Sequence, residues 1–234
     1  MKTIHFISGL PRSGSTLLVS ILNQNPRFYS NTESSLARLV KAIINEECPD
    51  DKKIIILKSL IDTYYYDIDS PIYFNTNSIW TLLLDVLDII SPDSKVICCV
   101  RDIIWILDSF EVLFRKNPFI SSQFYNGNES ETVYTRCNSL MSSNHILRFS
   151  YDGLKEAITG NHRNKLILIE YDYLAKFPDQ VLKSIYNFID EPYFEHDFNN
   201  VIFEGVRKKV EFIERPMILP PDIRQAFSNL EVWR

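Results

Sequence analysis

The chain has 234 residues, 45% of them hydrophobic and 24% charged. That balance excludes the disordered and fibrous classes and leaves room for one large α/β domain or two small ones, of which a single domain over residues 1–234 is the simpler reading. A net charge of −5 gives no general attraction for nucleic acid or an anionic membrane, so an anionic ligand must find a local positive pocket.

Met1-Lys2-Thr3 leads directly into Ile4-His5-Phe6-Ile7, without a secretory apolar core or a cleavage site, which points to a cytoplasmic chain. The longest apolar runs, such as Ile54 to Leu57 and Lys95 to Val100, are far shorter than the ~20 residues that cross a bilayer, so no membrane partner is expected. Thr3 to Ser8 reads as a buried strand that ends at Gly9-Leu10-Pro11, and Ser15 to Asn25 as a helix carrying Leu17, Leu18, Ile21 and Leu22 at helical spacing. Ala37 to Glu47 and Lys53 to Tyr66 read as helices, Ile72 to Asn75 as a short strand, and about Ile79 to Ile90 as another helix. After Ser91-Pro92-Asp93 comes a second clear strand, Lys95 to Val100, then an amphipathic helix from about Asp102 to Phe114.

The polar stretch Asn117 to Glu131 is either a lid or a plain solvated connection. A third strand, Lys165 to Ile169, precedes Tyr171 to Lys176 and a helix from Asp179 to Ile189. Apolar strands alternating with helices predict an α/β fold, a P-loop-like three-layer α/β/α sandwich around a central, mostly parallel sheet. Cys48, Cys98, Cys99 and Cys137 lack C-x-x-C spacing and read as buried free thiols, with Cys98 and Cys99 facing opposite ways on their strand.

One segment carries chemistry directly. Gly9-Leu10-Pro11-Arg12-Ser13-Gly14-Ser15-Thr16 has the spacing G-x-x-x-x-G-x-T between a strand and a helix, where backbone N–H groups converge on an anion at the helix N-terminus. A nucleotide triphosphatase would place Lys where Ser15 stands, whereas here the positive side chain lies inside the loop as Arg12. The second element is Val100-Arg101-Asp102 at a strand end, with Ser109 two helical turns further on. A guanidinium and a hydroxyl are groups that suit a phosphate dianion, although an Arg at a strand end is by itself commonplace.

Together these residues resemble the sulfotransferases that use 3'-phosphoadenosine 5'-phosphosulfate (PAPS). The run Pro11 to Leu18 and Asn25-Pro26 are most similar to the tyrosylprotein branch and to small bacterial sulfotransferase-like proteins. The resemblance implies that Pro11, Arg12, Ser13, Gly14, Ser15 and Thr16 hold the 5'-phosphosulfate, that Arg101 and Ser109 hold the 3'-phosphate, and that Arg12 also serves catalysis. It implies Glu33 as the catalytic base, by counting onward from Pro26 through Thr32; one acidic residue stands here where that branch has two. Arg207 and Lys208, in the basic cluster Arg207-Lys208-Lys209, fit the place of a late loop that closes over the 3'-phosphate, or form a solvated charge run. Lys165 to Tyr171 resembles the family's strand-plus-helix segment, read as packing under the nucleotide site in preference to catalysis by Glu170 or Tyr171.

The expected activity is transfer of a sulfuryl group from PAPS to a hydroxyl or amine of a small-molecule, carbohydrate or peptide acceptor, leaving adenosine 3',5'-bisphosphate and using no metal. Two departures stand out. The stretch Tyr73-Phe74-Asn75-Thr76-Asn77 lacks the histidine of cytosolic sulfotransferases, and Thr76 occupies the position where the tyrosylprotein branch carries a lysine. A P-loop small-molecule kinase and a nucleotide-binding module without turnover are the alternatives.

Overall fold

The computed structural model describes residues 2–32, 34–117, 119, 125, 127–143, 145–203, 206–212 and 215–230, without the side chains of 203, 206 and 207. Its centre is β1 (Thr3–Gly9), buried on both faces over almost its whole length. A strand with no polar face must have neighbours on either side and layers above and below. It has both: β1 pairs in parallel with β3 (Ile72–Thr76) and β4 (Val96–Val100), β2 (Phe28–Asn31) adds outside β3, and β5 (Leu166–Glu170) outside β4. The sheet order is β2-β3-β1-β4-β5.

Alternation along the strands divides the core in two. Phe6, Tyr73, Val96, Cys98 and Leu166 face one layer, with side chains from α2 (Leu36–Ile44), α3 (Asp50–Tyr64), α4 (Leu84–Ile90), α5 (Ile103–Lys116), α6 (Val133–Leu140) and α7 (Ile146–Thr159). Ile7, Ile72, Phe74, Ile97, Cys99 and Ile169 face the other, with α1 (Ser15–Leu22), α8 (Tyr171–Lys176) and α9 (Pro178–Phe188). Each fully buried Leu or Ile in these layers contributes roughly 1.5–3 kcal/mol. The three-layer α/β/α expectation holds, and adjacent Cys98 and Cys99 fall into opposite layers. The cysteines are free, and all but the half-buried Cys48 are enclosed.

Several local readings change. The expected helix from Ile79 to Ile90 is two pieces, a 3-10 turn over Ser78–Leu83 and then α4. The turn is drawn tight against the end of β1, because Ser8 Oγ donates to the Ser78 carbonyl (3.1 Å) and accepts from the Thr81 N–H (3.2 Å). Four-residue β2, α6 and α7 were not expected, nor were the antiparallel hairpin of β6 (Val201–Phe203) and β7 (Val206–Lys208) and the C-terminal α10 (Pro221–Ala226). Of the polar stretch 117–131, residues 118, 120–124 and 126 lie outside the described set, and the choice between lid and connection falls there.

The strand order fixes where a ligand can sit. From β1 the chain moves outward to β2 and β3 on one side, then returns to build β4 and β5 on the other. The carboxyl ends of β1 and β4 therefore border a topological switch point, the crevice where open α/β sheets bind their ligands.

Candidate functional site

The loop after β1 is shaped by close approach. Gly9 has φ 104°, and a Cβ there would stand 2.1 Å from the Cys99 carbonyl oxygen, so only glycine lets β1 turn beside β4. The Leu10 N–H donates to that same carbonyl at 2.9 Å. Ser13 is buried, its Oγ 2.5 Å from the Leu10 carbonyl and 2.8 Å from that of Cys99, so its hydroxyl serves the loop and only its backbone N–H is left for a ligand. Gly14, with φ 95°, precedes α1 and carries no capping side chain, which leaves the first amides of α1 open to an anion. Arg12 is a non-glycine residue at φ 62°, a conformation that costs roughly 1–2 kcal/mol and is retained where the surroundings demand it.

Across the switch point, β4 ends at Val100 and Asp102 caps α5, its Oδ1 accepting from the Ile104 N–H at 2.7 Å. That cap starts the helix at once and places Ser109 two turns along it, where Arg12 Nε donates to Ser109 Oγ at 3.2 Å. Arg101 lies between, 15% exposed, its guanidinium 4.2 Å from the Tyr171 ring centroid and 5.6 Å from that of Trp105. Its Nε is buried without a hydrogen-bond partner, and the nearest carboxylate, Asp172, is 3.9 Å away. Burial pulls the pKa of Arg101 below its usual value and pushes that of Asp172 above its own. A desolvated guanidinium with unused donor capacity is a group prepared for an anion.

These residues enclose one cavity of about 430 Å³, lined by Arg12, Gly14, Ser15, Thr16, Arg101 and Ser109, by Tyr171, and by Lys208 and Lys209 from the β7 end. The volume falls within the range of roughly 300–1,000 Å³ common to small-molecule sites. The C-terminal segment is fastened to the same helix. Asp108, fully buried beside Ser109, pairs with Arg215 and accepts from the backbone N–H groups of Ile218 (2.7 Å) and Leu219 (3.1 Å).

A second cavity, of about 640 Å³, lies on the other side of the loop. Its wall includes Gly9, Leu10 and Pro11, then Thr32, Ser34, Ser35 and Arg38, and the β3 end at Thr76, Asn77 and Ser78. Ser15 lines both cavities, so they meet at the start of α1. Asn75, fully buried, organises this wall: its Nδ2 donates to Ser34 Oγ (2.7 Å) and to the Tyr65 hydroxyl (2.6 Å), and its Oδ1 accepts from the Trp80 indole (3.1 Å). Thr76 Oγ1 is buried without a partner.

Of the residues expected from the sequence, Arg12, Gly14, Ser15, Thr16, Arg101, Ser109 and Lys208 surround the first cavity. Pro11 lines the second, and Ser13 is withdrawn into the loop. Glu33 lies outside the described residues, as does the side chain of Arg207. His5 is a packed core residue, its Nδ1 accepting from the Lys95 N–H at 3.1 Å. Tyr171 and Lys209, which the sequence places under the nucleotide and in the late basic cluster, line the first cavity, whereas the group Thr32, Ser34, Ser35 and Arg38 was not anticipated for a site. Tyr171 follows β5 immediately, in keeping with its place at the end of the Lys165 to Tyr171 segment. Among the described residues no helix is long and apolar enough to cross a membrane, and no cluster of His, Cys, Asp and Glu is arranged to hold a metal ion.

Comparison with known proteins gives a consistent result. The profile described as "Sulfotransferase family" matches residues 5–195. The sulfotransferase domain from the curacin biosynthetic pathway superposes with a TM-score of 0.57 at 18% identity, over 99% of this chain and 92% of that one. A sulfotransferase from Alicyclobacillus acidocaldarius gives 0.55 at 14% identity, over 97% and 89%. The sulfotransferase domain of the Synechococcus PCC 7002 olefin synthase gives 0.53 at 21% identity, over 83% and 76%. At these identities the structures establish a shared fold. No curated protein matches the chain.

Proposed function

The chain belongs to the sulfotransferase family, and from that premise we propose that one domain binds PAPS in the 430 Å³ cavity and transfers its sulfuryl group to a hydroxyl or amine held in the 640 Å³ cavity. The observation that carries this reading is the meeting of two distant motifs. The loop after β1 and the Arg101/Ser109 pair after β4 line one cavity, and Arg12 Nε reaches Ser109 Oγ directly. Two anion-binding patches on one cavity fit a nucleotide with phosphate at both its 3' and 5' positions. A kinase would need a cation where Ser15 stands, and the family match sets that alternative aside.

In this reading Arg101 and Ser109 grip the 3'-phosphate, with the Tyr171 ring supporting the guanidinium at 4.2 Å and Lys208 and Lys209 adding charge at the mouth. The amides of Ser13 to Thr16 and the Arg12 guanidinium take up the negative charge that grows on the 5'-phosphate as it leaves. The acceptor oxygen or nitrogen forms a bond to sulfur, the bond from sulfur to the phosphate oxygen breaks, and the acceptor proton passes to a base. Glu33 is our assignment for that base, supported by its neighbours Thr32 and Ser34 in the wall of the second cavity. With Thr76 at the position of the branch's lysine, Arg12 is the cation that balances charge at the transfer point.

The test is calorimetric titration with adenosine 3',5'-bisphosphate and with ATP and Mg²⁺, followed by transfer of labelled sulfate from PAPS to a panel of acceptors. Tight binding of the bisphosphate without a need for Mg²⁺, and label in an acceptor, is the expected result. Preference for ATP with Mg²⁺ would reject the reading, and donor binding with no transfer to any acceptor would favour a module without turnover.

A further inference from the structure

The second cavity carries information about its occupant. We infer that the acceptor is a hydroxylated anion, a polar molecule bearing a carboxylate or phosphate that Arg38 recognises. The inference rests on the sulfotransferase reading, which makes this cavity the acceptor site.

Three features of the wall lead there. The first is polarity without aromatic surface. Among the described residues the lining carries the hydroxyls of Ser15, Thr32, Ser35 and Ser78 and the amide of Asn77, and no Phe, Tyr, Trp or His. A planar phenol or a tyrosyl side chain would find no ring to stack on, whereas a polyol would find donors and acceptors on several sides. Of the tyrosines behind this wall, Tyr65 stacks on Tyr73 at 4.8 Å and its hydroxyl accepts from Asn75, while the half-buried Tyr64 uses its hydroxyl to accept from Ser34 Oγ at 3.1 Å.

The second feature is charge. Arg38 is the one charged residue among the described lining, and the only carboxylate assigned to this cavity is Glu33, the base of the reading above. The chain carries 30 acidic residues against 25 Lys and Arg, so a cavity wall whose sole described charge is positive runs against the general field of the molecule. The third feature is orientation. Arg38 Nη2 donates to Ser35 Oγ at 3.1 Å, one turn back on α2, and among the described residues no carboxylate pairs with it. The remaining N–H groups of the fork are left for a bidentate partner, the geometry in which a guanidinium meets a carboxylate or phosphate. Because Arg38 lies at the exposed edge of the cavity while Ser15 lies where the two cavities meet, the anionic group would bind at the outer end and the reacting hydroxyl would point inward.

The test uses four probes: D-glucose, D-glucuronate, D-glucose 6-phosphate and 4-nitrophenol. Each is titrated calorimetrically into the protein, alone and saturated with adenosine 3',5'-bisphosphate. At least one of the two anionic sugars should bind about tenfold or more tightly than glucose, the scale of a charge-assisted hydrogen-bonded pair, with the preference shrinking as salt is raised. Which of them ranks first separates a carboxylate from a phosphate ligand. Arg38→Gln should remove the preference and Arg38→Lys restore part of it. Equal binding of glucose, tighter binding of 4-nitrophenol, a preference that survives Arg38→Gln, or no sugar binding at all would each overturn the inference. If the bisphosphate fails to bind while the Arg38-dependent preference persists, the donor reading falls and anion recognition by this cavity stands.

Discussion

The two cavities that meet at Ser15 are built by different means. The cavity proposed for the donor is lined by Arg12, Arg101, Lys208 and Lys209 against one described carboxylate, Glu211, and uses groups that follow strand ends: Arg12 after β1, Arg101 after β4 and Tyr171 after β5. The acceptor side carries hydroxyl and amide groups with a single described cation, and it gathers them from the segments after β2 and β3 and from the first turn of α2. A nucleotide with fixed charges can be held by residues that the sheet positions automatically. An acceptor must be read by side chains whose placement depends on how outer elements pack. The difference teaches that a change at a strand end should harm one cavity and leave the other alone, which is open to test from both sides.

The largest effect is expected on the donor side. Arg101→Ala removes a mostly buried guanidinium from the cavity proposed for the nucleotide, and affinity for adenosine 3',5'-bisphosphate should fall by roughly 2–4 kcal/mol, the scale of breaking a hydrogen-bonded charge pair. Calorimetry should show the loss with binding in the second cavity unchanged. Arg101→Lys keeps the charge but forfeits the guanidinium contact over the Tyr171 ring, and should recover part of the affinity. Unchanged bisphosphate affinity in Arg101→Ala would remove this residue from the site and dissolve the contrast.

The acceptor side is tested next. Asn75→Leu leaves Ser34 Oγ, the Tyr65 hydroxyl and the Trp80 indole without their shared partner. Ser34 Oγ keeps its bonds to the Tyr64 hydroxyl and the Leu36 N–H, and the Tyr65 hydroxyl keeps that from Asn31, but the buried Trp80 indole N–H is orphaned at a cost of about 1–3 kcal/mol, so the unfolding free energy from urea titration should drop by about 2 kcal/mol. The wall formed by Ser34 and Ser35 should shift with it, weakening ligands of the second cavity while bisphosphate affinity holds. A loss of equal size in both cavities would show that they are one mechanical unit.

The same contrast explains what could be read in advance. The loop from Gly9 to Thr16 and the Val100-Arg101-Asp102 segment are each contiguous, and glycine spacing, strand-end position and family resemblance carry meaning without tertiary detail, so the fold class and most of the residues lining the first cavity are legible in advance. The acceptor wall is not. It depends on β2, a four-residue strand with alternating burial and no turn signature stronger than Asn25-Pro26, and on a 3-10 turn whose tightness comes from Ser8, some seventy positions earlier. Arg38 shows only as an exposed helix residue until β2 and β3 bring the preceding loop to the cavity. Asp108 likewise reads as the polar face of α5, and only the return of the chain at Arg215 buries it.

The smallest expected effect supplies a control that should touch neither cavity. His5 lies on β1, 2% exposed, and burial with the nearby Lys95 charge lowers its pKa to about 4 from an ordinary 6.5. Its folded pKa is below its unfolded one, so it is neutral in the native state and its contribution to stability is complete above pH 6.5. As pH falls toward 4 the unfolded chain takes up a proton that the folded chain refuses, and stability declines across that window. Between pH 7 and pH 6 the loss from this residue should be about 0.7 kcal/mol. Urea titrations at the two pH values, compared with those of His5→Gln at the same pH values, isolate the share belonging to His5. Bisphosphate affinity should not follow it, because the ring sits in the core layer shared with Phe74 and not in either cavity wall. If His5→Gln instead altered ligand binding as strongly as Arg101→Ala, the strand beneath the loop would be part of the site, and the division between a rigid sheet and the groups it presents would fail.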